Sequence, residues 1–125
     1  MTRMVLLLSV LCFASAALAQ DPVKVDPKHY KVEFENARVR VLRVSYGAHE
    51  KSVMHHHPDA VAVFLAEQTA TFTLPDGKTI ERTGKAGQAI WTPAETHLPE
   101  NTSDKLLEVV LVELKGPPKR GHATK

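Results

Sequence analysis

The sequence is nearly empty of cysteine, has no long run with helical periodicity and carries little excess charge. Each shortage removes a class of protein. Its one cysteine is Cys12. Residues 1–19 read as a secretory signal, with Arg3 as a positive start, residues 5–17 as an apolar stretch and Ala17-Leu18-Ala19 as a small-x-small cleavage site. The expected mature chain begins at Gln20 or Asp21, is secreted or periplasmic, and contains no cysteine. Disulfide frameworks, cysteine nucleophiles, zinc ribbons and iron–sulfur clusters therefore drop out. The apolar stretch is too short for a spanning helix, so no membrane attachment is expected after cleavage. Sixteen basic and fourteen acidic side chains give +2, and +1 once Arg3 leaves. The only basic cluster is the short tail, which gives no footing for nucleic acid. Gly-x-Ser-x-Gly elbows, Walker loops, dinucleotide fingerprints and EF-hand loops are also missing.

What is present is period-two alternation broken by turn signals. Residues 20–28 hold two prolines and alternating charges and read as an extended lead-in. Residues 29–34 and 38–46 alternate as strands, and Gly47 ends the second. Residues 60–66 are apolar on both faces, which predicts a strand covered on both sides. Residues 69–74 and 78–82 flank Pro75-Asp76-Gly77, a hairpin turn in which proline presets one φ and glycine accepts the left-handed position. Shorter runs follow at 88–92 and 96–98, then a long one at 106–114 ended by Gly116-Pro117-Pro118. Eight to ten short strands mean one all-β sandwich or barrel over residues 29–115, with 116–125 as a disordered basic tail.

Three of the seven histidines are consecutive, at His55-His56-His57. On a strand, His55 and His57 share one face and His56 takes the other, where packing or an interface is its expected role. Two imidazoles side by side make half of a metal site, and His97 is the candidate for the rest. His29 and His122, near the termini, are expected to be incidental.

The stretch from Gly47 to His55-His56-His57, followed by Gly87, Pro93, His97 and Asn101, resembles the two motifs of a small single-domain cupin. That resemblance spans residues 30–115 and implies a jelly-roll β-barrel. It implies His55, His57 and His97 as ligands of one divalent transition metal (Fe, Mn, Ni, Zn or Cu) and Asn101 as a structural turn residue. Departures accompany the matches. The Gly47–His55 spacer is two residues longer than the usual five, Glu95 replaces a glycine, and His97 follows Pro93 one residue early. The first motif's glutamate would fall at Val61 or Ala62, so a fourth ligand is absent. Three neutral imidazoles leave the metal's full charge, which favours an anionic substrate or hydroxide.

Glu95, Asp59 and Glu50 are the carboxylates available as substitutes, with solvated surface positions expected for all three. Glu95 and His49 are weak candidates for a catalytic base. Met54, Val61, Phe64, Phe72 and Trp91 are candidate pocket-lining residues, and Arg43 can point inward to hold a carboxylate. Asn101-Thr102-Ser103 fits a glycosylation acceptor. The resemblance points to a metal-dependent enzyme on a small organic substrate, oxygenase-type first, then isomerase or hydrolase. A non-catalytic barrel binding a small molecule or metal ion is the alternative. Pairing into a homodimer through edge strands is a further expectation.

Overall fold

Side-chain alternation along each run settles the architecture. In the computed structural model, which describes residues 20–117, the runs form nine strands: β1 (Tyr30–Glu35), β2 (Val39–Tyr46), β3 (His55–His57), β4 (Ala60–Phe64), β5 (Gln68–Thr73), β6 (Thr79–Gly84), β7 (Ala89–Thr92), β8 (Glu95–Asn101) and β9 (Leu107–Leu114). They pair antiparallel into a five-stranded sheet, ordered β1-β2-β9-β4-β7, and a four-stranded sheet, ordered β3-β8-β5-β6. The expected secretory signal, residues 1–19, and residues 118–125 of the tail, His122 included, lie outside the described residues.

The inward phase supplies the core: Leu42, Val44 and Tyr46 from β2, Ala60, Ala62 and Phe64 from β4, Leu107, Val109 and Leu111 from β9, and Ala70 from β5. Each large apolar side chain buried this way contributes roughly 1.5–3 kcal/mol. The opposite phase meets solvent. Register across the five-stranded sheet puts Phe34, Val41, Val112, Val61 and Trp91 in one outer row. Val61 and Val63 are only half-buried, so β4 is covered on one face, contrary to the expectation from its composition. Arg43 is also in the outward phase, where it pairs with Glu33 and Glu108 instead of entering the barrel. The inward arginine is Arg40, in phase with Leu42.

The lead-in is not extended. Asp21 caps a one-turn helix, α1 (Pro22–Val25), accepting from the Val23 N–H at 3.0 Å, with proline at the first helical position. Pro22 is fully buried. The Gln20 carbonyl accepts from His56 N–H at 2.8 Å, so this N-terminal strap lies along the β3 backbone.

Asn101, 1% exposed, ties the barrel's turns together. Its Nδ2 donates to the carbonyls of Gly47 and Lys105, and its Oδ1 accepts from Ser103 N and Oγ. An amide so enclosed is a turn residue and is closed to glycosylation.

Gly84 of β6 packs directly against the Phe64 side chain of β4. A Cβ there would sit 2.5 Å from the Phe64 ring, itself in the core. Overpacking of this kind costs about 1–3 kcal/mol. Gly84→Ala should therefore lower the urea midpoint by that equivalent, and an unchanged midpoint would show that the ring moves aside freely.

Candidate metal centre

The site begins with strand pairing. β3 is antiparallel to β8, and His55 stands directly opposite His97, with His57 opposite Glu95. Side-chain period two then places all four on one face. Ring centroids lie 4.8 Å apart for His55 and His57, 5.1 Å for His55 and His97, and 5.3 Å for His57 and His97. All three histidines are buried, and one ring nitrogen from each lies within 4.8 Å of the other two. The cluster can hold a metal ion.

Hydrogen bonds decide which nitrogen is free. His55 Nδ1 is 2.8 Å from the Val53 carbonyl, His57 Nδ1 is 2.6 Å from Glu113 Oε1, and His97 Nδ1 is 2.9 Å from Glu95 Oε2. A carbonyl and two carboxylates can only accept, so each Nδ1 carries a proton and Nε2 is the nitrogen left for another partner. His55 Nε2 is buried and has no partner among the described residues. An orphaned acceptor at the meeting point of three like-oriented imidazoles fits a metal cation, and outer partners of this kind fix the tautomer and raise ligand basicity.

Burial, helped by the two neighbouring rings, pushes His55 down to about 3. Burial also holds His97 down to about 4, against the opposing pull of Glu95. The Arg82 hydrogen bonds bring Glu95 down to about 2. For Glu113, burial raises the pKa, but the hydrogen bonds from His57 and Arg40 leave it below its ordinary value.

The two carboxylates are already committed. Arg82 holds Glu95 through Nη1 and Nη2, both at 2.7 Å, and Arg40 Nε donates to Glu113 Oε2 at 2.8 Å. Glu95 is thus an orienting partner of His97, which leaves no free carboxylate for it to offer as a base. Glu113 went unsuspected in the sequence, although it follows Leu107, Val109 and Leu111 in strict inward alternation. His29 is likewise not incidental: it is buried, bridges Asp26 and Glu50 through its two ring nitrogens, and stacks on Tyr46 at 4.3 Å.

Above the histidines lies a cavity of about 310 Å³ between the sheets, lined by His57 and His97 and by Ala62, Phe64, Phe72 and Ile90 among others. Phe64 and Phe72 are therefore cavity residues. Trp91 (56% exposed) and Val61 face outward, and Met54 lies in the phase of His56, so none of these three lines the cavity. The missing glutamate's inward position belongs to Ala62, because β4 alternates Ala60, Ala62 and Phe64 inward. His49 is exposed and pairs with Asp104 on the loop after β2, outside the site. Asp59 accepts from Ala94 N–H at the surface, and Glu50 is taken by His29 and Lys28. His56 turns away and meets Thr96 Oγ1 at 2.9 Å.

Comparison with solved structures places this architecture. A cupin domain from Bordetella pertussis Tohama I is 24% identical and covers 70% of this chain and 92% of its own, with a TM-score of 0.65. The chain has a cupin fold. An RmlC-like cupin with a double-stranded β-helix from Methanocaldococcus jannaschii is 20% identical over 71% of this chain and 83% of its own, with a TM-score of 0.53. A polyketide cyclase from Streptomyces resistomycificus is 19% identical over 71% and 66%, with a TM-score of 0.52. No protein-family model matches the sequence, and no curated protein does. The cupin assignment thus rests on shape, joined to the position of the three buried histidines inside it.

Two outcomes follow from this geometry. Glu113→Gln should weaken Co²⁺ binding about 10–100-fold in a chelator competition, the usual effect of losing an outer-shell carboxylate. The metal-free protein should also be acid-sensitive. His55 and His97 lie below the ordinary 6.5 when folded, so the unfolded chain binds protons first as pH falls. Stability should decline from about pH 6.5 toward pH 4 in urea titrations, with a shallower slope in His97→Gln; a midpoint flat across that window would contradict these shifts.

Proposed function

We propose that this chain is a mononuclear metalloenzyme of the cupin fold. In this reading His55, His57 and His97 hold one divalent transition metal through Nε2, and a small organic molecule occupies the adjoining cavity. The observation that carries the reading is the shared orientation of three buried imidazoles, each Nδ1 already engaged. A bound metal would supply Lewis acidity or one-electron chemistry to whatever binds beside it. The chain's own residues then do the rest. Glu113 and Glu95 keep the rings aimed, while Phe64, Phe72 and Ile90 exclude water around an apolar substrate body.

Charge counting narrows the ligand. The three rings offer only imidazole nitrogen, Ala62 brings no carboxylate, and Glu95 and Glu113 are each held by an arginine. An anionic oxygen, from substrate or hydroxide, is the complement such a centre needs in a buried setting. Oxygenase chemistry on an anionic substrate is the first choice, with isomerisation or hydrolysis next.

A second reading, a non-catalytic binding barrel, is favoured by one fact: both carboxylates beside the histidines are engaged, so no general base is ready for proton transfer. Metal analysis of untagged protein after reconstitution with Fe, Mn, Ni, Zn and Cu tests the first step. His57→Ala and His97→Ala should each lose the metal, and a wild type that retains none would end the metalloprotein reading. Oxygen uptake with catechols, flavonols and keto acids then tests the oxygenase choice, and product analysis of the same mixtures separates an isomerase or hydrolase from the binding barrel, which converts none of them.

A further inference from the structure

The strap at the chain's N-terminal side is joined to two of the three histidines by separate polar chains. The first begins at Asp21. Its carboxylate receives Arg40 Nη1 at 2.8 Å and Nη2 at 3.0 Å, and Arg40 Nε reaches Glu113 Oε2 at 2.8 Å. Glu113 Oε1 in turn holds His57 Nδ1. The second begins at Asp26, which accepts from Ser52 Oγ, and Ser52 Oγ lies 3.4 Å from His55 Nδ1. Between the two chains, the Gln20 carbonyl takes the backbone N–H of His56.

This arrangement answers a structural need. β3 has only three residues and is the edge strand of its sheet, paired to β8 alone. An edge that short has little intrinsic rigidity, yet two ligands must be aimed from it within narrow limits. The strap fills the free edge with a backbone acceptor and reaches both ligands from behind. Its own docking rests on one helical turn, the buried Pro22, the Gln20 carbonyl, Asp26 held by Ser52 and His29, and the bidentate Asp21–Arg40 pair, of which Asp21 is about 29% and Arg40 about 17% exposed. A short flanking segment of this kind can open locally while the two sheets stay paired, so its docking is an equilibrium.

We propose that docking of residues 20–26 and metal binding are thermodynamically coupled, with Asp21 as a positioning residue for His57 through Arg40 and Glu113. The proposal rests on the metal reading given above. Coupling is reciprocal: if the docked strap tightens metal binding by some factor, metal tightens the strap by that same factor.

Co²⁺ alone is the probe, in the full mature chain. Asp21→Asn should weaken Co²⁺ about 3–10-fold, less than Glu113→Gln, because it acts one link further out. In a Glu113→Gln background the Asp21 change should have no further effect, whereas Ser52→Ala should still add its own. Hydrogen exchange on the unaltered protein supplies a readout free of folding artefacts. Co²⁺ should slow the amides of Lys24, Val25 and Asp26 by the factor seen in affinity, while Gly77 in the far hairpin turn stays unchanged. Co²⁺ binding with strap exchange unaltered, or an Asp21 effect that adds fully to Glu113→Gln, would overturn the coupling and leave the metal site standing. Failure of the unaltered protein to bind Co²⁺ would overturn the site, and the coupling with it.

Discussion

Three imidazoles buried side by side are the constraint around which the molecule is arranged. Burial beside one another holds His55 and His97 neutral, well below the ordinary imidazole value. The remaining N–H on each ring then needs an acceptor at the outer side. One backbone carbonyl and two carboxylates meet that need, and the carboxylates in turn need Arg40 and Arg82. The polar network thus grows outward from the rings until it reaches solvent, each shell neutralising the one inside it.

Such a network explains why acidic side chains appear where the alternation of an apolar strand predicts leucine or valine. Glu113 is 2% exposed and would be a costly defect without His57 and Arg40. Arg40 occupies the inward phase of β2 for the same reason. The barrel therefore has two ends of different character. One is closed by Tyr46, Asn101 and Leu107, while the other is an ionic end built from Asp21, Arg40 and Glu113.

Much of the fold was legible in the sequence because period-two alternation and turn chemistry are local. His55 and His57 follow from strand period alone, and the motif spacing singled out His97. The outer shell was less visible. Glu113 lies 56 positions from His57, and only register, which local pattern does not supply, says that they meet. β2 shows a related ambiguity: Val39 and Val41 suggest one phase, Leu42, Val44 and Tyr46 the other, and the longer, bulkier set takes the core. The expectation that Arg43 can point inward followed the first phase; the structure takes the second, which turns Arg43 out and brings Arg40 in. The same one-residue question separated Val61 from Ala62, and apolar size misled for Trp91, which lies on an edge strand in the outer row. The helical turn of the strap did have a signal, an Asp-Pro pair suited to a cap and first turn, that two prolines and mixed charge obscured.

The replacement of a carboxylate by Ala62 has a bearing on which cations can compete for the centre. Hard ions such as magnesium and calcium are held by clustered oxygen ligands, and manganese leans the same way. Three imidazole nitrogens with an alanine methyl in the carboxylate's place would give them little. Zinc, copper, iron and nickel accept such donors readily. In the metal reading proposed above, the loss of one oxygen ligand would trade affinity for discrimination, turning abundant hard cations away from a site that scarcer borderline metals could enter.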